Sequence, residues 1–176
     1  MKKCINKPLS CCPKSLSHYI FQGLPNRKYK IRVNTLINGK AIGEADFNAN
    51  HLRMNLAVKS GQDAGETPYE DIMELSGIDS RDKVKSFIII AMGASEREKA
   101  IKAGHRHRIN DELFEKLEAA TRNRYPDLEL FSGFGVQAQS LEGQILLDVM
   151  LEGIEKNIVA LPVHDALAVN TEHLQW

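Results

Sequence analysis

Cysteine is nearly absent from this 176-residue chain: its three, Cys4, Cys11 and Cys12, all fall in the first dozen residues. No second Cys or His group stands at zinc-ligand spacing from them, which argues against a structural metal site there. No run approaches the ~20 apolar residues of a membrane span, and the start lacks the apolar stretch of a signal peptide, so the expectation is a cytoplasmic chain with no membrane partner. Net charge is missing too, since 23 Lys/Arg balance 23 Asp/Glu. That balance argues against a binder that relies on overall positive charge to hold nucleic acid. Internal repeats and low-complexity linkers are also lacking, and the length suits about one domain with a real hydrophobic core.

The zero hides an asymmetry. Residues 1–43 contain nine Lys/Arg and no Asp/Glu, and the remainder carries the opposite excess. Such a basic arm suits a phosphate backbone, and equally a solvated tail. Residues 1–18, with Pro8, Pro13 and several Ser and Lys, read as an irregular segment preceding a domain over 19–176.

From Tyr29 the pattern becomes regular. An alternating run reaches Asn38-Gly39, the signal of a type I′ turn, and returns as far as Asp46, which predicts a β-hairpin. Helical spacing of Leu52, Leu56 and Val58 predicts a helix over 50–60 with Gly61 as its stop. Thr67-Pro68-Tyr69-Glu70 combines an N-cap, a first-turn proline and a capping-box Glu, and predicts a short helix ending near Gly77. Residues 80–92 start on a Ser cap and turn apolar, favouring helix over strand, and Ser95-Glu96-Arg97-Glu98 reads as another capping box. A charged amphipathic helix follows over 109–124, stopped before Pro126. A long helix over 137–156 aligns Leu141, Ile145, Val149 and Ile154, and two short strands, 158–163 and 166–170, meet at His164-Asp165.

Asp46 and Asp165 are the chemically informative residues. Two aspartates delivered by strand ends far apart in sequence are what a divalent-metal site for phosphoryl chemistry needs. Arg81 and Lys85, one helical turn apart, supply two cations pointing the same way. Each feature also has a bland explanation: Asp46 closing a hairpin, Asp165 capping a turn, Arg81 and Lys85 lying on a solvated helix face.

Order and spacing resemble the palm and fingers of family A DNA polymerases over about residues 20–172. In that family an Asp is followed five residues later by Glu and seven later by Arg; here Asp46 is followed by His51 and Arg53. A second motif has Arg, a Lys four later, an aromatic four beyond, then Tyr-Gly; here Arg81 and Lys85 stand, with Ile89 and Gly93 at the aromatic positions. The third, a hydrophobic-His-Asp-Glu turn, is Val163-His164-Asp165-Ala166, preceded by a long helix as in the family. The likeness is greatest to compact, divergent phage or plasmid proteins.

The resemblance implies an α+β fold, with a small antiparallel palm-like sheet covered by helices and a reduced helical fingers subdomain inserted at about 62–135. It implies Mg2+ or Mn2+ held by Asp46, Asp165 and the main-chain carbonyl of Phe47, with primed DNA template and dNTP as partners in replication or repair. Arg81 and Lys85 would hold the triphosphate, Lys85 would protonate pyrophosphate, Arg53 would organise the palm, and His164 would orient the primer end or the turn. His51 would face the sugar and Ile89 the incoming base, where the departures from Glu and an aromatic bear on sugar choice and stacking. The size leaves no room for a thumb or exonuclease, which implies a fragment of a longer polymerase or a domain served by a protein partner. Two further functions stay open: a non-catalytic nucleic-acid- or protein-binding remnant, and a template-independent magnesium phosphotransferase on an α+β fold.

Overall fold

The computed structural model describes residues 34–175. The three cysteines, the 1–18 segment and the first residues of the expected 29–47 hairpin lie outside that range. The fold of the described residues is α+β, with six helices and a four-stranded antiparallel sheet of order β1-β2-β4-β3 among them. In chain order the elements are β1 (Leu36–Ile37), β2 (Lys40–Asp46), α1 (Asn50–Ser60), α2 (Pro68–Ser76), α3 (Arg81–Gly93), α4 (Arg97–Arg106), α5 (Asp111–Arg124), α6 (Gly135–Glu155), β3 (Leu161–Val163) and β4 (Ala166–Asn170). A short 3-10 turn, Thr171–His173, follows β4.

The described residues form two compact units: 34–47 with 144–175, which holds the sheet, and Asn48–Gly143, which holds α1 to α5 and the start of α6. The second unit is an insertion in the first, with wider bounds than 62–135 because α1 groups with the helices. No helix among the described residues is long and apolar enough to cross a membrane.

The helical unit carries one continuous core. Leu52 and Leu56 of α1, Ile72 of α2, Val84, Phe87, Ile88 and Met92 of α3, and Phe114 and Leu117 of α5 are essentially inaccessible. Phe87 meets Phe114 edge-on, with ring centroids 5.0 Å apart and planes at 76°, the geometry that sets a ring's positive edge on its neighbour's negative face. Val84, Phe87, Ile88, Ala91 and Met92 recur at helical spacing, which explains why the apolar 87–90 run is helix here and not strand. The loop after α5 is tied down by its backbone: Phe131 N–H donates to Ala91 O (2.6 Å) and Gly133 N–H to Ala94 O (2.9 Å).

Helix ends depart from the sequence expectation. Thr67 and Ser80 make no side-chain cap bond; the Thr67 hydroxyl donates to the Asp71 carboxylate instead. The helix after Ser95 starts one residue later than a Ser cap requires, with Glu96 at its N-cap. Asn110 does cap, its side-chain oxygen accepting from Leu113 N–H at 2.9 Å.

In the sheet, Asn38 (φ 53°) and Gly39 (φ 77°) both take the positive φ that a type I′ turn demands. β4 is buried at every residue, whereas its neighbour β2 is largely exposed. A Cβ at Gly43 of β2 would stand 2.6 Å from Leu174 Cδ1, so a larger residue there would push that exposed leucine side chain aside. On α6 the buried positions of the sheet unit are Leu146 and Gly153, not the expected Ile145 and Ile154, which is 69% exposed. The strand expected from 158 begins only at Leu161. The reason is local: Ile158 N–H donates to Gly153 O (2.7 Å) and Asn157 adopts φ 58°, so these residues close the end of α6.

Candidate metal and phosphate-binding residues

The register of β2 against β4 places the two aspartates. Asp46, the last residue of β2, pairs with Ala166, the first of β4, and Ala166 pairs on its other side with Val163 of β3. Asp165 sits in the two-residue turn between β3 and β4, one residue from Asp46's partner. Directly opposed Cα atoms in an antiparallel pair lie ~4.5–5.5 Å apart, so the Asp165 Cα is within roughly 9 Å of the Asp46 Cα. Successive side chains alternate, so Asp46 and Glu44 share a face with Ala166 and Ala168.

Asp46, His164 and Asp165 are all exposed, and none makes a side-chain hydrogen bond or ion pair with another described residue. His164 has φ 55°, a left-handed conformation uncommon outside glycine, and its backbone thereby closes the turn that presents Asp165. Phe47, directly after Asp46, is 38% exposed, so the strand end is bordered by an accessible aromatic ring.

As a ligand set this is thin. No cluster of three or more His, Cys, Asp or Glu suited to a metal occurs among the described residues. Two carboxylates and the Phe47 carbonyl do not make a structural zinc site. They do fit Mg2+, which keeps much of its water and takes one or two carboxylates with substrate phosphates completing its shell.

The second group of expected residues belongs to the helical unit. Arg81, Lys85, Ile89 and Gly93 follow one another at four-residue steps along α3, and all four are exposed. They form the solvent stripe of the helix whose other side builds the core. Arg81 is engaged: its Nε donates to Glu70 Oε1 (2.8 Å), its Nη2 to Asn48 Oδ1 (3.1 Å), and its guanidinium lies 4.9 Å from the Tyr69 ring centroid. Burial pushes the Tyr69 hydroxyl above its usual range, with Arg81 pulling down and Glu70 pushing up. An exposed ion pair of this kind holds with only ~0–1 kcal/mol, so a polyphosphate could displace Glu70. Lys85 has no partner among the described residues.

A Cβ at Gly93 would meet nothing within 4 Å. The lack of an aromatic there is therefore not imposed by packing. Ile89, 44% exposed, offers an aliphatic surface at the neighbouring position.

His51, at the start of α1, lies 3.5 Å from Glu142 Oε2. Arg53 holds the loop after α1 together: Nε donates to Asn48 O (2.8 Å), Nη1 pairs with Asp63 Oδ1 (2.5 Å) and Nη2 donates to Gly65 O. Sequence reasoning missed Glu70, Asn48 and Glu142 as partners of Arg81 and His51. Glu70 was legible only as a capping-box residue, and nothing at the level of spacing couples it to an arginine on the next helix.

Comparison with protein-family models, with curated proteins and with solved structures found no match. The likeness to family A polymerases rests on the three motifs.

Proposed function

We propose that the chain is a palm of the DNA-polymerase type, a template-directed nucleotidyltransferase or a piece of a longer one. The observation that carries this is the pairing of Asp46 with Ala166, which sets beside Asp165 a second exposed aspartate at the end of the sheet, neither with a side-chain partner among the described residues. In this reading Asp46, Asp165 and the Phe47 carbonyl hold the divalent cation. When bound, that ion would supply a lowered pKa for the attacking primer hydroxyl and charge neutralisation for the leaving pyrophosphate. His164 fixes the turn, keeping Asp165 at the strand end. Within the helical unit, Lys85, which has no partner among the described residues, and Arg81, once Glu70 gives way to phosphate, are the cations suited to a triphosphate.

The non-catalytic alternative draws support from the second motif. Arg81 already has a carboxylate partner, and Ile89 and Gly93 offer a base no aromatic face. Primer extension on a primed template with Mg2+ or Mn2+, compared with Asp46→Asn/Asp165→Asn and with template binding recorded in the same samples, separates the two. Extension lost in the double variant with binding kept supports the polymerase reading. Binding without extension in the parent chain selects the remnant, and nucleotide turnover that ignores the template selects a generic phosphotransferase.

A further inference from the structure

The lysines and arginines of the described residues divide sharply. Ten of them face a carboxylate within ion-pair distance. The exceptions are Lys83, Lys85, Lys102, Arg106 and Arg108, which have no acidic partner among the described residues. Unpaired cations scattered at random would mean little. These belong to two neighbouring places: the first turns of α3, and the end of α4 with the turn that follows it.

Lys83 and Arg108 line the same open notch of about 440 Å³, together with His105 and the cap residue Asn110. Lys102 and Arg106, four residues apart, share a face of α4, the helix whose His105 lines the notch. Asp111, at the start of α5, is already taken by His105 at 2.6 Å and Glu112 by Lys116 at 2.7 Å, while Asp82 adjoins Lys83 and Glu98 stands one turn before Lys102. Arg108 is held in place by its backbone: its N–H donates to His105 O (3.1 Å), Ile109 N–H closes back to Gly104 O (3.0 Å), and Arg108 takes φ 59°, where glycine is the usual residue.

We infer that this notch is a contact for the phosphodiester backbone of a polynucleotide. Four cations without an acidic partner among the described residues, spread over α3, α4 and the turn after α4, exceed what one free phosphate engages, and they suit a run of successive phosphates. Neither an exposed aromatic nor an exposed large aliphatic residue occurs between 95 and 135, so the surface has nothing to insert into a lipid layer or to stack on bases. The contact is accordingly indifferent to base sequence. It stands independently of the catalytic role of Asp46 and Asp165.

The test is fluorescence anisotropy of the full chain with a labelled single strand of about 16 nucleotides, titrated at several salt concentrations between about 50 and 200 mM. Lys83→Gln/Arg106→Gln/Arg108→Gln is compared with a control of equal charge change at paired cations, Lys59→Gln/Lys116→Gln/Lys156→Gln. The notch variant should bind on the order of tenfold more weakly and lose about 2 from the slope of log affinity against log salt. The paired-cation variant should keep the parent slope. Equal slopes in all three proteins, or the same loss in both variants, would overturn the inference. Displacement of the strand by inorganic phosphate at equal phosphate concentration would also overturn it, by reducing the notch to a site for one free anion. Retained helical circular dichroism in each variant keeps a folding defect apart from a binding one.

Discussion

The helical unit and the sheet unit spend their residues differently. In the helical unit, side chains from six helices form one buried cluster that includes the Phe87–Phe114 pair, and most surface charges are paired. In the sheet unit, β1 and β3 are two and three residues long, β2 is mostly exposed, and small residues, Ala166 and Ala168, oppose the acidic ones. A small sheet of short strands is marginal alone in water. Stability is therefore concentrated among the helices, whereas the two aspartates that lack a partner among the described residues sit on the less heavily packed element. The separation is physically reasonable, because carboxylates kept free to bind an ion contribute no pairing energy to the fold.

The largest test of that contrast is Phe114→Ala, which should cost about 3–5 kcal/mol in urea denaturation by opening a cavity against Phe87. A loss below about 1 kcal/mol would break the claim that this pair anchors the helices. Next comes pH. Tyr125 donates its hydroxyl to Ala64 O at 2.9 Å, and burial pushes its ionisation up to about 12. The unfolded tyrosine loses its proton near 10, so the folded state holds the proton more tightly. The resulting stability is fully present below about pH 10 and disappears as pH rises towards 12, by about 2–3 kcal/mol. Tyr125→Phe should flatten that part of the stability profile.

Arg53→Ala should cost about 1–2 kcal/mol, since two carbonyls lose a charged donor while the exposed Asp63 contributes little. Arg53→Lys should recover only part of it, because one ammonium cannot bridge the positions that the guanidinium fork reaches. Arg108→Gly should shift the melting transition by no more than about 1 kcal/mol, relief of the left-handed backbone being offset by the freedom glycine gains when unfolded. On the sheet side, Asp46→Asn/Asp165→Asn should change stability by less than about 0.5 kcal/mol. A substantially larger loss there would show the aspartates to be structural and would erase the contrast between the units.

Local signals were readable where a single short-range rule governs. Asn38-Gly39, Gly61, Pro68 and Gly77 mark turns and helix ends that occur where their backbone preferences place them. The strand limits and the buried side of α6 were less legible. Ile158 has strand-like chemistry, yet its N–H is used by the helix before it, and burial on α6 selects Leu146 and Gly153 through packing that periodicity cannot rank. Among the candidate site residues, the stripe Arg81, Lys85, Ile89 and Gly93 follows directly from four-residue spacing. The Glu70 and Glu142 partners do not, because ion pairs between elements have no sequence period.

The amino-acid sequence by itself determined the helix stretches, the tight turns and the four-residue stripe on α3, since each depends on backbone preferences acting over a few residues. Tertiary structure alone decided that Asp46 lies beside the turn holding Asp165, that Arg81 is shared with Glu70, and that Lys83 and Arg108 line one notch. Those outcomes depend on strand register and helix packing, which are fixed only when residues distant along the chain exclude water together.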